Sequence, residues 1–456
     1  MTRLLYWNVR NFSLPKVLRF DTFTNYVQSQ SRLRHIVREV ISPQAPLPPN
    51  PPPPPDMIVI VEVYSRTQEV SYQGNVLNQG GNMGRGVLWL LNEIRATLGN
   101  TWCVVPPLMV GDFGLREAVA VFYNAASLGF AGPYVWATAN GVNLGRQAVQ
   151  PNLGNLANYS QDWLNAMPHP NNPLPPLQLN RNWAANGVQV NEWQGAGQWE
   201  HYDANGRINF PNPGSRSPFY TRMVDTTGRT IKVFAIHTSP ASAVAATRNI
   251  AGIPDLAVGA NEVGVVVGDF NVESFNMNVN GAYGPLLNLG YDMLLDPRDT
   301  NNLVNLARAP YCMTHVLPPS LATPFNTTGV PPDPRHNVYP RFGYMGSTVP
   351  RQPGRTTDTA SIDNAFVAYP HGTVPPNHNT TIVNRIVGKP YDAVNPAPAG
   401  VTAELTGGYG YNSALAAPVS IPGGVNPAAG IGQFADWNNY QRIDSVSDHL
   451  AMVFDV

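Results

Sequence analysis

Val263-Gly264-Val265-Val266-Val267-Gly268-Asp269-Phe270-Asn271 is an apolar run that ends on a carboxylate and a carboxamide. Such a run reads as a strand buried on both faces. Folding does not require an ionisable group at its tip, so Asp269 points to chemistry. The pattern recurs along the chain. Residues 4–9 form a short aromatic strand with Asn8 near its end, residues 56–63 deliver Glu62, and residues 230–237 close on His237. Asp448-His449 precede a last apolar strand, residues 450–456, and residues 117–123 add another strand. Because strand side chains alternate, Asp269 and Asn271 face one side if the backbone stays extended past Phe270. Both would then offer oxygen to one cation.

Between these strands, Phe23, Tyr26, Leu33, Val37 and Val40 repeat with helical spacing over residues 23–41, and Ser42-Pro43 ends that helix. Residues 46–55 are a proline-rich run, an extended connector. Val87, Leu90, Leu91, Ile94 and Leu98 mark a second helix, with Gly99 as its C-cap. Gly80-Gly81-Asn82-Met83-Gly84-Arg85-Gly86 lacks the Gly-Lys-Ser/Thr ending of a phosphate-binding loop and reads as a flexible loop. Residues 118–139 are long enough to span a bilayer but contain Asn124, Gly129, Gly132 and Pro133, so they read as a buried strand and a turn. Two stretches, about 133–228 and 370–436, are rich in Asn, Pro and Gly with weak periodicity and read as insertions.

Composition agrees with a folded, loop-rich chain. Charged residues make up 12% and hydrophobic ones 43% of 456 residues, with Gly 40 and Pro 45. High-charge disorder is excluded, and the glycine and proline excess goes into turns. Cys103 and Cys312 are the only cysteines, too few for a disulfide framework or a multi-cysteine zinc site. The start, Met1-Thr2-Arg3 followed by Leu4-Leu5-Tyr6-Trp7, lacks a Sec-type signal, so a cytoplasmic protein or one exported by another route is expected.

Asn8, Glu62, Asp269, Asn271 and Asp448 form an oxygen-rich set suited to Mg²⁺ or Mn²⁺. Only two histidines, His237 and His449, accompany the set and no thiolate does, which disfavours zinc. The ordered motifs resemble the endonuclease/exonuclease/phosphatase superfamily, on its deoxyribonuclease I-like side. They are Trp7-Asn8-Val9-Arg10-Asn11, Asp56 with Glu62, Arg116-Glu117-Ala118-Val119-Ala120-Val121, His237-Thr238-Ser239-Pro240, Gly268-Asp269-Phe270-Asn271, Ser361-Ile362-Asp363-Asn364 and Ser447-Asp448-His449. The resemblance implies one catalytic domain over residues 1–456. Its fold class is α+β, a four-layer α/β/β/α sandwich of two packed, mostly antiparallel mixed sheets flanked by helices, decorated by the two insertions.

Residue by residue, the resemblance implies Glu62 on the metal, with Asn8 and Asp448 close by. Asp269 and Asn271 would sit against the phosphate and the attacking water. His449 would be general base, oriented by Asp363; His237, steadied by Glu117, would bind phosphate or act as general acid. Arg10 and Arg116 could grip phosphate through the guanidinium fork, and Asn364 joins them as a weaker phosphate-binding candidate.

The substrate stays open at this level. A net charge of −1 supplies no overall basic surface for nucleic acid. Lys16, Lys232 and Lys389 are the only lysines among 28 Lys plus Arg, which suits bidentate phosphate recognition but carries little weight. The inositol-phosphatase signatures are absent, whereas the histidine and glutamate motifs match the nuclease side. A metal-dependent nuclease acting on DNA as a monomer is expected, with a neutralising protein partner if it serves as a toxin. The alternatives are a phospholipid or sphingomyelin phosphodiesterase, using Trp183, Trp193 and Trp199 at a membrane, and a catalytically silent binding scaffold.

Overall fold

The computed structural model describes residues 1–42, 53–64, 81–105, 109–110, 117–132, 197–198, 202–203, 206–207, 218–272, 274, 280–296, 312, 314–317, 358–371, 379–383, 409–412, 417–419 and 446–456. In chain order the strands are β1 (Arg3–Phe12), β2 (Met57–Val63), β3 (Trp102–Val104), β4 (Met109–Val110), β5 (Glu117–Asn124), β6 (Leu128–Gly132), β7 (Gly197–Gln198), β8 (Tyr202–Asp203), β9 (Gly206–Arg207) and β10 (Phe219–Asp225). They continue with β11 (Thr230–His237), β12 (Glu262–Asp269), β13 (Asp292–Met293), β14 (His315–Leu317), β15 (Asp358–Ala360), β16 (Asp363–Ala368), β17 (Asn379–Val383), β18 (Tyr409–Asn412), β19 (Ala417–Val419) and β20 (Ala451–Asp455). The helices are α1 (Leu14–Val17), α2 (Phe23–Arg34), which runs on as a π-helix over His35–Ile41, α3 (Asn82–Leu98), α4 (Ala243–Ile250) and α5 (Asn280–Asn288).

Among the described residues one sheet runs β19-β18-β17-β20-β1-β2-β5-β3, with β4 also on β5. The other runs β13-β16-β12-β11-β10-β6, with β7 also on β10. Each sheet has one parallel pair at its centre, β1 with β2 and β11 with β12, and is otherwise antiparallel.

Alternation along the strands builds four layers. Tyr6, Val59, Val61, Val119 and Val121 from the first sheet meet Val233, Val265, Val267 and Val367 from the second in one core. The opposite face of the first sheet, Leu5, Trp7, Ile58, Ile60 and Phe122, packs on Leu33 and Val37 of the α2 and π-helical segment and on Val87, Leu90 and Ile94 of α3. Behind the second sheet, Phe234, Ile236, Val266 and Phe366 pack on Ala246 and Ile250 of α4 and Tyr283 and Leu286 of α5. Apolar surface is thus removed from water on both faces of both sheets, the dominant favourable term for the fold. The expected α/β/β/α sandwich is the architecture observed.

Several local expectations change. The stretch 133–228 contains β10, a seven-residue strand paired along its length to β11, so it is not wholly an insertion. Likewise β17, inside 370–436, pairs with β20, and β18 and β19 extend the sheet from it. Asn-, Pro- and Gly-rich flanks mask these short strands in any composition window. The glycine-rich run at 80–86 is largely the start of α3 rather than a loop. A Cβ on Gly86 would lie 2.6 Å from the backbone nitrogen of Leu14, so glycine there allows α1 and α3 to approach closely. Helix α2 forms as expected, but Phe23 and Tyr26 of its apolar stripe are 79% and 40% exposed. The proline-rich run lies outside the described residues up to Pro53, whose carbonyl accepts a hydrogen bond from Arg3 Nη1. Residues 118–132 form β5, a turn and β6, and among the described residues no helix is long and apolar enough to cross a membrane.

Candidate active site

Strand parity carries a set of polar side chains into the space between the sheets. Tyr6 faces inward, so Asn8 two residues on does too. In β5, β11, β12 and β16 the inward positions Val119, Ala235, Val267 and Ala365 place Glu117, His237, Asp269 and Asp363 on the same inner face at the strand ends. Register completes the alignment. His237 is the cross-strand partner of Asp269, and Asp269 that of Asp363, so three ionisable residues stand side by side across the second sheet.

One further residue reaches the site by breaking parity. Val59 and Val61 face the inter-sheet core and Ile60 faces the helices, so an extended β2 would turn Glu62 toward the helices. Instead Glu62 adopts φ +56°, and the pairing of β2 with β5 shifts register between Ile60 and Val63. The bulge returns Val63 to the helix side and swings Glu62 into the site, where Oε1 lies 3.4 Å from His237 Nε2 and Oε2 accepts from the Asn11 amide at 3.1 Å. Among the described residues Asn11 and Asn271 are the other non-glycine residues with positive φ, 52° and 49°. Strained backbone is therefore concentrated here.

Asn271 corrects the sequence expectation. Its backbone does not stay extended, and its side chain does not join Asp269 as a paired oxygen ligand. Asn271 Nδ2 donates to the Thr238 carbonyl at 2.9 Å, and its amide donates to Asp269 Oδ1 at 2.9 Å. It ties the end of β12 to the end of β11 and holds Asp269 in place.

Two imidazoles face each other across Asp269. His237 Nδ1 lies 2.9 Å from both carboxylate oxygens of Glu117. His449 Nδ1 lies 2.8 Å from Asp363 Oδ2. Their Nε2 atoms converge on one oxygen, Asp269 Oδ2, at 3.5 and 3.6 Å. Asn8 Nδ2 donates to the same oxygen at 3.1 Å and to Glu62 Oε1 at 3.3 Å. Each carboxylate holds the proton of its imidazole at Nδ1 and leaves Nε2 as the atom that exchanges protons.

Electrostatics follow from this crowding. Burial alone would push His449 down, but Asp363, then Asp269 and Asp448, overcome it and hold the imidazole up at about 10. Asp269 is raised, by burial first and then by Asp363. Burial also acts on Glu62 and Asp448, yet both are held below the usual carboxylate range. The cause for Glu62 is His237 and His449; for Asp448 it is the His315 imidazole 3.7 Å away, then His449 and Arg10. Without a cation the site therefore holds a proton on His449 and negative charge on Glu62 and Asp448.

Four residues the sequence reading passed over complete the site. Tyr6 donates its hydroxyl to Asp363 Oδ1 at 2.9 Å; it lies two residues before Asn8, so parity could have found it. Ser447 Oγ donates to the Asn8 carbonyl at 2.6 Å and accepts from the His449 amide at 3.0 Å, fixing the turn before β20. Lys16, half-buried and lowered to about 7 by burial, donates Nζ to the carbonyls of Val9 and Arg10. His315 stacks against His449 with ring centroids 4.2 Å apart. No strand-end pattern in the sequence marks it, because β14 spans three residues.

The phosphate-binding candidates divide. Arg10 Nη1 lies 3.4 Å from Asp448 Oδ2, beside the site, with its side chain 42% exposed. Arg116 lies outside the described residues, as do Trp183, Trp193 and Trp199. Asn364 is not a phosphate ligand. Fully buried, it accepts from the amides of Leu295 and Ala365 and donates to the Leu295 carbonyl at 2.9 Å, clamping the chain beside β13. Parity explains this: Asn364 follows inward Asp363 and must face away from it.

Donor chemistry suits a hard divalent cation. Asn8 Oδ1 and Asp448 Oδ1 are buried atoms without hydrogen-bond partners, and Glu62 adds an ionised carboxylate next to Asn8. Orphaned buried oxygens are costly unless a ligand satisfies them. Glu62, Asn8 and Asp448 are the residues that would hold Mg²⁺ or Mn²⁺.

No protein-family model and no curated protein matches the chain. Solved structures do. An endonuclease/exonuclease/phosphatase family protein from Leptotrichia buccalis C-1013-b is 9% identical over 100% of this chain and 99% of its own, with TM-score 0.39. D. rerio TDP2 complexed with single strand DNA product is 10% identical over 100% and 99%, TM-score 0.35. Sphingomyelinase C from Streptomyces griseocarneus is 12% identical over 99% and 98%, TM-score 0.35.

Proposed function

We propose that the chain is a divalent-metal-dependent phosphodiesterase, a nuclease that hydrolyses DNA with limited sequence specificity. The supporting observation is the pair of imidazoles, each held at Nδ1 by a carboxylate from the opposite sheet and each presenting Nε2 to the same oxygen of Asp269. Hydrolysis of a phosphodiester needs one group to take a proton from water and another to protonate or stabilise the leaving oxygen. His449 takes the first role and His237 the second. Asp269 orients the water between them, with Asn271 holding that carboxylate. Glu62, Asn8 and Asp448 would hold a cation, which when bound would supply positive charge beside the phosphate oxygens and offset the carboxylates that keep His449 protonated. In-line attack then breaks one P–O bond and leaves a phosphomonoester and an alcohol.

The preference for DNA over other phosphodiesters rests on the sequence motifs, which match the deoxyribonuclease I-like side of the superfamily. A lipid substrate is the second reading. Phe20 and Phe23, 71% and 79% exposed, with Phe20 stacked on Tyr26 at 5.6 Å, favour it as an apolar contact for a membrane surface.

The test is incubation with supercoiled plasmid, single-stranded DNA, RNA and sphingomyelin vesicles, each with Mg²⁺, Mn²⁺ or EDTA, beside the Glu62→Gln variant. Metal-dependent nicking of plasmid, reduced by about 10² or more in the variant, is the expected result. Hydrolysis of sphingomyelin with plasmid left intact moves the substrate to lipid. No hydrolysis of any substrate overturns the enzymatic reading.

A further inference from the structure

His315 gives the site a third imidazole, against His449. One ligand atom from each of His315, Asp448 and His449 lies within 4.8 Å of those from the other two. Asp448 bridges the rings: its Oδ2 is 3.7 Å from His315 Nε2 and its Oδ1 is 3.8 Å from His449 Nε2. Ligands about 2.0–2.1 Å from a tetrahedral Zn²⁺ stand roughly 3.3 Å apart, so small side-chain movements close the set. His449 is already prepared as a ligand. Its Nδ1 is bound to Asp363, the outer carboxylate that commonly orients a zinc-bound imidazole, which leaves Nε2 toward Asp448. His315 is only 8% exposed and its Nδ1 has no hydrogen-bond partner, which marks this corner as polar but unsatisfied. Arg10 Nη1 also lies against this carboxylate, 3.4 Å from Asp448 Oδ2.

We propose that His315, Asp448 and His449 form a second cation site that takes a borderline ion such as Zn²⁺, sharing Asp448 with the oxygen set of Glu62, Asn8 and Asp448 but distinct from it in chemistry. Two imidazoles and one carboxylate, completed by water, match an open zinc coordination, whereas Mg²⁺ prefers oxygen alone. Occupation engages the Nε2 lone pair of His449, so the ion inhibits hydrolysis. That consequence rests on the phosphodiesterase reading; the binding itself does not.

The experiment titrates metal-free protein with Zn²⁺ by calorimetry in excess Mg²⁺, and with Co²⁺ followed by its visible absorption as a stand-in for four-coordinate zinc. One Zn²⁺ per chain is expected, with a four-coordinate Co²⁺ spectrum that Zn²⁺ abolishes. His315→Ala and the bulkier His315→Gln, both checked for folding by circular dichroism, should weaken Zn²⁺ by at least about 10-fold, the lower end of what losing even an outer-shell partner costs. Glu62→Gln should retain the Co²⁺ spectrum. Unchanged Zn²⁺ affinity in both folded His315 variants, or loss of Co²⁺ in Glu62→Gln alone, overturns the site. Zn²⁺ binding that depends on His315 in a protein without hydrolytic activity sustains the site and rejects the phosphodiesterase reading instead. Where hydrolysis is present, equal inhibition by Zn²⁺ of the parent and His315→Gln overturns the inhibitory consequence.

Discussion

His237 with Glu117 and His449 with Asp363 are built from opposite sheets in opposite senses. In the first pair the imidazole comes from the second sheet and the carboxylate from the first; in the second pair these origins are exchanged. Both pairs therefore cross the sandwich and require its two sheets to be docked. They differ in how they are held. His237 and Glu117 sit at strand ends, where alternation alone points them inward. His449 lies in the turn before β20, held by Ser447 and by the indole of Trp7, which donates to the His449 carbonyl at 2.9 Å. Its partner Asp363 receives the Tyr6 hydroxyl as well, and His315 stacks on the ring. The second pair is thus braced by the side chains of Trp7, Tyr6 and Ser447. A base that must hold its orientation through a proton-transfer cycle benefits from such support.

The comparison is sharpened most by replacing each imidazole. His449→Ala should lower the rate by about 10²–10⁴ and His237→Ala by at least about 10², the range for a lost proton-transfer group, with both variants still folded by circular dichroism. Plasmid nicking rates measure both. Equal pH profiles in the two variants would break the division into base and acid, because loss of the base must remove the limb on which activity rises with pH.

Tyr6→Phe separates support from chemistry. It removes the donor to Asp363 Oδ1 and should reduce the rate by about 10-fold through the orientation of His449. The pH–rate profile should shift on the His449 limb while KM stays near the parent value. A KM change without a shift in the profile would place Tyr6 at the substrate instead.

The smallest effect is on stability. His449 is raised from its ordinary value near 6.5 to about 10 in the folded, metal-free protein. A group raised by folding contributes stability that is fully present below about pH 6.5 and is lost as pH rises through about 10. Melting temperature in EDTA should therefore fall by a few degrees across that window, and His449→Gln should flatten the fall. An equal slope in the variant would show that the Asp363 and Asp269 field does not act through His449.

Parity made much of the site readable in advance. Asn8, His237 and Asp269 follow from apolar strands whose inward faces end in polar residues, Glu117 and Asp363 entered through the family resemblance, and the strand rule, applied to Asn364, would have removed it from the phosphate candidates. Glu62 was legible as a polar residue on a buried strand, but not its direction. An extended β2 would have pointed it at the helices, and the left-handed turn at φ +56° reverses that. Asn271 shows the opposite failure: its φ of 49° takes a side chain that alternation would aim at the cation and uses it to tie β12 to β11.

By itself the sequence determined the long central strands, the main helices and, through the family resemblance, the layered α+β class, and it supplied the candidate acids and bases. Periodicity and burial act locally and leave their mark in residue order. Only the tertiary structure decided which way Glu62 and Asn271 turn, how His449 is held, and that His315 joins Asp448. Those outcomes depend on sheet docking and on backbone dihedrals at a few strained residues. Contacts between positions as far apart as Tyr6 and Asp363, or His315 and His449, have no local signature.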